Sequence, residues 1–95
     1  MATTKLNSRD WVALEHKYYQ GTFKRQPVTF VRGEGPRVWD SDGKVYLDLV
    51  AGIAVNVLGH CHPAIVKAVQ HQVTQLIHVS NLYYNTRQIE LAEQL

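Results

Sequence analysis

Arg37-Val38-Trp39-Asp40-Ser41-Asp42-Gly43-Lys44-Val45-Tyr46-Leu47-Asp48-Leu49 decides the fold of this 95-residue chain. Two strand-forming runs, Arg37 to Asp40 and Lys44 to Leu49, flank Ser41-Asp42-Gly43. β-branched and aromatic side chains suit a pleated, half-buried surface. Asp-Gly signals a tight hairpin because both residues tolerate positive φ. Upstream, Val28-Thr29-Phe30-Val31-Arg32 has the same strand-like content, and Gly33-Glu34-Gly35-Pro36 reads as a turn or bulge. Residues 28–49 therefore predict a three-stranded antiparallel meander.

Helical patterns lie on both sides. Trp11, Leu14 and Tyr18 recur at helical spacing, with Ser8 as the cap, Asp10 in the first turn and Gly21 as the stop. Pro63 suits the first position of a second helix. Ile65, Val66, Val69, Val73 and Leu76 form its apolar face, and its end is expected near Ile77. Asn85 or Thr86 opens a third helix, with Gln88 placed to complete a capping box. Its apolar pattern runs to Leu95 with no glycine or basic last turn, as in a helix cut short within a longer chain. Between meander and second helix, Val50 to Leu58 is apolar with small residues. It either continues a strand or lies with its backbone close to something else, as Gly52 suggests. Residues 1–7 read as a disordered start.

Composition narrows the class. At 45% hydrophobic and 19% charged the chain is ordinary for a globular protein. A net charge of +2 is too weak for a nucleic-acid-binding face. No apolar run reaches the roughly 18 residues of a membrane helix. The N-terminus lacks a secretory signal. The one cysteine, Cys61, fits a reducing compartment, so a cytoplasmic location is expected.

Local chemistry is sparse. His60-Cys61-His62 suggests a metal, but three adjacent side chains diverge and no second ligand cluster follows, so none is expected. His60 is read as bonded to loop backbone, His62 as a helix cap and Cys61 as a packed thiol. Gly33-Glu34-Gly35 lacks the third glycine of a dinucleotide loop. None of the five lysines, Lys5, Lys17, Lys24, Lys44 and Lys67, sits in the desolvated setting a Schiff-base amine needs. No catalytic residue is assigned. Tyr83-Tyr84 after Ser80-Asn81 has the polar-aromatic character of a pocket or interface loop.

Taken in order, several segments resemble class III pyridoxal-phosphate aminotransferases. They are Thr22 to Gly35, Val38 to Asp48, Ala51-Gly52-Ile53-Ala54-Val55-Asn56, Leu58-Gly59-His60-Cys61-His62-Pro63 and His78 to Tyr83. The resemblance covers residues from about 16 to the end and is greatest to members acting on acetylornithine. It implies an α+β segment of a fold-type-I enzyme that is several times longer, homodimeric and dependent on pyridoxal 5'-phosphate. Residues 8–60 would belong to its small domain, and residues 61–95 would lead into the large cofactor-binding domain. The aldimine lysine, the aspartate on the pyridine nitrogen and the phosphate loop come later in that family, so this segment is expected to be inactive alone.

The resemblance also implies a pocket. The loop Gly52, Ile53, Ala54 and Val55 would line the substrate site, with Phe23. Ornithine aminotransferases carry tyrosines at the positions of Ile53 and Phe23. Loss of both hydroxyls disfavours free ornithine and suits an N-acylated substrate, with 2-oxoglutarate accepting the amine. Ser80, Asn81 and Tyr83 would face cofactor or partner subunit. Two other readings stay open: another ω-aminotransferase (succinylornithine, ornithine or 4-aminobutyrate), and a small non-enzymatic interaction module whose helices bury their apolar faces together.

Overall fold

The computed structural model describes residues 6–95. Of the expected disordered start, residues 1–5 lie outside the described residues. The chain forms two compact units, Met1–His62 and Pro63–Leu95.

The first unit begins with helix α1, Ser8–Tyr18. Its cap is Asn7 and not Ser8. The Asn7 side chain accepts the Asp10 N–H at 2.9 Å, and the Asp10 carboxylate accepts the Asn7 N–H at 3.1 Å. This reciprocal box satisfies amides that the first turn leaves without partners. Ser8 has a different task. It is buried, its hydroxyl lies 3.1 Å from that of Ser41 and accepts the Thr29 N–H at 3.3 Å. One residue thus fastens the helix start to the sheet. The helix closes at Tyr19, which turns extended before Gly21 is reached.

Strands β1 (Phe30–Glu34), β2 (Arg37–Asp40) and β3 (Val45–Leu47) form the predicted antiparallel meander in the order β1-β2-β3. The first strand starts two residues later than expected and takes in Gly33 and Glu34. Phe30 pairs with Asp40 and Arg32 with Trp39, so Val31 is a bulge residue. The β2–β3 loop also differs from expectation. Of its residues only Gly43 has positive φ, at 87°, and Asp40 closes the loop with Lys44. This is a three-residue loop ending in a left-handed glycine, so Asp42 needs no positive φ.

Asp40 explains the longer loop. It is 5% exposed, and one carboxylate oxygen accepts the N–H groups of Asp42 and Lys44, both at 2.9 Å. The other accepts the Tyr46 hydroxyl at 2.9 Å. Burial raises the Asp40 pKa, yet these donors outweigh it and hold the carboxyl below its usual 3.8. The same bond raises the Tyr46 phenol. Phe30 packs edge-on against Tyr46 at 5.4 Å, and Val38 is the buried hydrophobic residue of this sheet.

After β3 the chain neither continues as a strand nor forms an ordinary helix. Residues Ala51–Ala54, labelled α2, make one left-handed turn.

In the second unit, helix α3 spans Pro63–Val73, shorter than the expected end at Ile77. Helix α4 spans Thr86–Gln94, and the Asn85 side chain accepts the N–H groups of Arg87 and Gln88. Neither helix buries a residue. Ile65, Val69, Ile89 and Leu91 are all more than half exposed. The mutual apolar core expected of a self-standing module is therefore not formed.

Candidate functional site: a strained turn clamped to the sheet

The candidate pocket loop is the left-handed turn. Ala51, Gly52, Ile53 and Ala54 have φ of 52°, 64°, 65° and 61°. Left-handed backbone costs a non-glycine residue roughly 1–2 kcal/mol, and Ala51, Ile53 and Ala54 each bear it. Backbone bonds close the turn: Ala54 N–H to Val50 O at 2.9 Å and Val55 N–H to Ala51 O at 2.8 Å. On this turn Ile53 is 86% exposed. Gly52 and Val50 line a hollow of about 580 Å³ with Phe30, Tyr46, Leu47 and His60.

The turn is held from its N-terminal side by Asp48. One carboxylate oxygen accepts the Ala51 N–H at 2.9 Å, and the other lies 2.6 Å from His60 Nε2. An ionised carboxylate only accepts, so the ring nitrogen donates. The Ala51 amide first, then the His60 ring, holds the Asp48 carboxyl below its usual 3.8. A depressed pKa stabilises the fold fully above 3.8, and that stabilisation is lost as pH falls through the lower folded value. The loss of thermal midpoint between about pH 5 and pH 2 is thus expected to be shallower in Asp48→Asn than in the parent. Parallel acid limbs would remove Asp48 from the account.

His60 is itself fixed twice. Its backbone exchanges two hydrogen bonds with Gly35, at 2.8 and 3.0 Å. Its ring lies over Gly33, where an added Cβ would stand 2.6 Å from Cγ. Gly59 passes as closely over the Gly35 backbone. The His60 ring, expected to bond to loop backbone, bonds instead to the Asp48 carboxylate, and it is the His60 backbone that pairs with the loop. Gly33-Glu34-Gly35, read as a plain turn, is the bed on which His60 rests. The spacing of Gly33, Gly35 and Gly59 was the available signal for a close backbone crossing.

Each of the other candidates has its own surroundings. Phe23 is 73% exposed, has the Arg25 guanidinium 5.8 Å from its ring and lines a different hollow with Trp11, Glu15 and His16. In the second unit, Ser80 has φ 68° and its carbonyl and hydroxyl accept the N–H groups of Tyr83 and Leu82. Asn81 and Tyr83 line a hollow of about 440 Å³ with Gln88 and Ile89. Cys61 is exposed, against the expectation of a packed thiol. Among the described residues no three His, Cys, Asp or Glu side chains gather as metal ligands, and no helix is long and apolar enough to cross a membrane.

A profile of the class-III aminotransferases matches residues 18–95. The chain belongs to that family. It is 66% identical over 79 residues to an acetylornithine aminotransferase of Methanopyrus kandleri, covering 83% of this chain and 20% of the relative. The structure superposes on a crystal structure of acetylornithine aminotransferase from Elizabethkingia anophelis with a TM-score of 0.85 at 35% identity, over 93% of this chain and 22% of that one. It also matches an ornithine aminotransferase from Toxoplasma gondii, TM-score 0.76 at 32% identity, over 86% of this chain and 19% of that one. That structure is described as having partial occupancy of pyridoxal phosphate at its active site. The chain spans about a fifth of the length of the relatives it matches. Its helix, meander and following helices are thus a segment of the fold-type-I architecture.

The family implies pyridoxal phosphate. Lys17, Lys24, Lys44 and Lys67 are all exposed, and Lys5 lies outside the described residues. None of the described lysines has the desolvated amine that the cofactor linkage needs. These residues do not fit the role of holding the cofactor covalently.

Proposed function

We propose that this chain is the N-terminal segment of an enzyme that transfers the δ-amino group of N-acetylornithine to 2-oxoglutarate, releasing the aldehyde and glutamate. The carrying observation is Ile53, an apolar side chain presented outward on a strained turn that the fold holds in place. Such strain persists only where surrounding structure over-determines it, and it clusters at ligand clamps. Ile53 offers a substrate apolar contact and no hydroxyl, which suits an acylated substrate; Phe23 carries no hydroxyl either, but it lines a separate hollow of this unit. Likeness to acetylornithine aminotransferases supports the same choice.

The first unit belongs to the small domain, and α3 leads toward the large one. Ser80, Asn81 and Tyr83 lie toward the cofactor or a second subunit of a homodimer. The enzyme is cytoplasmic and serves arginine biosynthesis. The lysine and phosphate loop that would hold pyridoxal phosphate come from residues beyond this segment, and the segment is inactive alone.

The test is a chimera in which this chain replaces the matching 79 residues of the M. kandleri relative. It should transaminate N-acetylornithine in preference to ornithine, with 2-oxoglutarate as acceptor. A folded chimera that prefers ornithine or 4-aminobutyrate would overturn the substrate assignment.

A further inference from the structure

We infer that Asp48 and His60 are positioning residues that fix the left-handed turn Ala51–Ala54 and so set the preference of the pocket for acylated over free amino-acid substrates. The inference rests on the reading of Ile53 as a pocket wall.

The turn needs holding at both ends. Val50 and Ala51 carbonyls accept N–H groups from Ala54, Val55 and Asn56 and secure its C-terminal side. On the N-terminal side the Ala51 N–H goes to the Asp48 carboxylate, a side chain that could otherwise swing to water. His60 prevents that by engaging the second carboxylate oxygen at 2.6 Å. His60 cannot follow the carboxylate outward, because its backbone is paired with Gly35 and its ring is seated on Gly33. A continuous set of contacts thus runs from the β1–β2 turn through His60 and Asp48 to Ala51. Release at His60 lets Asp48 rotate. The three non-glycine residues then relax toward negative φ, and the Ile53 side chain leaves its place.

The chimera described above, in its full-length form loaded with cofactor, tests this with His60→Ala and His60→Gln. Two quantities are read: the kcat/KM ratio of N-acetylornithine to ornithine, and hydrogen exchange at the amides of Ala54, Val55 and Asn56. His60→Ala should lower the ratio about tenfold, through KM and with kcat within about twofold, and speed the exchange. His60→Gln, whose amide can still donate toward Asp48, should recover both. Should His60→Ala give no soluble protein, His60→Asn, too short to reach the carboxylate, is read in its place. An unchanged ratio despite faster exchange overturns the selectivity role. Unchanged exchange overturns the clamp, and so does a His60→Gln variant as impaired as His60→Ala. An unmutated chimera without preference for N-acetylornithine sinks the underlying substrate reading instead, while the exchange data still decide the clamp.

Discussion

Gly59→Ala is expected to loosen the crossing of Gly59-His60 over Gly35 by on the order of 2–4 kcal/mol, the range of severe single substitutions. Two costs add. At φ 81° an L side chain is strained. The new Cβ would also lie 2.9 Å from the Gly35 carbonyl carbon and oxygen, and backbone cannot swing aside as a flexible side chain does. Hydrogen exchange at the Gly35 and His60 amides should accelerate by roughly 30- to 1,000-fold, at 1.4 kcal/mol per decade. Gly43→Ala is the control. Its φ of 87° imposes the same backbone strain, but nothing lies within 4 Å of the added methyl. It should cost only about 1–2 kcal/mol, felt at the Lys44 amide. Equal acceleration in the two variants would mean that the close approach at Gly35 adds nothing.

On the substrate reading proposed above, Ile53→Tyr in the full-length chimera should shift selectivity toward free ornithine, raising the ornithine to N-acetylornithine ratio of kcat/KM by roughly ten- to a hundredfold. A hydroxyl at this position offers the free amine a partner that isoleucine cannot. The swap should be tolerated structurally. Residue 53 sits at φ 65° and is 86% exposed, and left-handed backbone is hardest on a β-branched residue, which tyrosine is not. Ile53→Phe separates bulk from hydrogen bonding. If it moves the ratio as far as Ile53→Tyr does, the hydroxyl argument fails.

Much of the frame is readable from local pattern. Strand-forming runs about Asp42-Gly43 predict the meander that β1, β2 and β3 form, and Pro63 and Asn85 mark the starts of α3 and α4. Ser8 has the chemistry of a cap, but Asn7 stands one residue earlier with Asp10 at the spacing its box requires, and this frees Ser8 to bond with Thr29 and Ser41. Asp42-Gly43 has the composition of a two-residue turn. Asp40, by accepting the Asp42 and Lys44 amides, selects a three-residue loop. In both cases a side chain bonding to backbone overrides the local signal.

By itself the sequence determined the order of elements, the antiparallel sheet and the family, because these depend on periodicity, on turn residues and on motifs contiguous in the chain. Tertiary structure alone decided the hand of the Ala51–Ala54 turn and the partners of Asp48 and His60. Nothing in Ala-Gly-Ile-Ala favours left-handed backbone at three side-chain-bearing residues. That conformation is imposed from outside, by a carboxylate and an imidazole whose places are set by the approach of Gly59 and His60 to Gly33 and Gly35. Contacts between segments so distant in the chain leave no periodic trace. What they leave is glycine wherever one backbone must pass close to another.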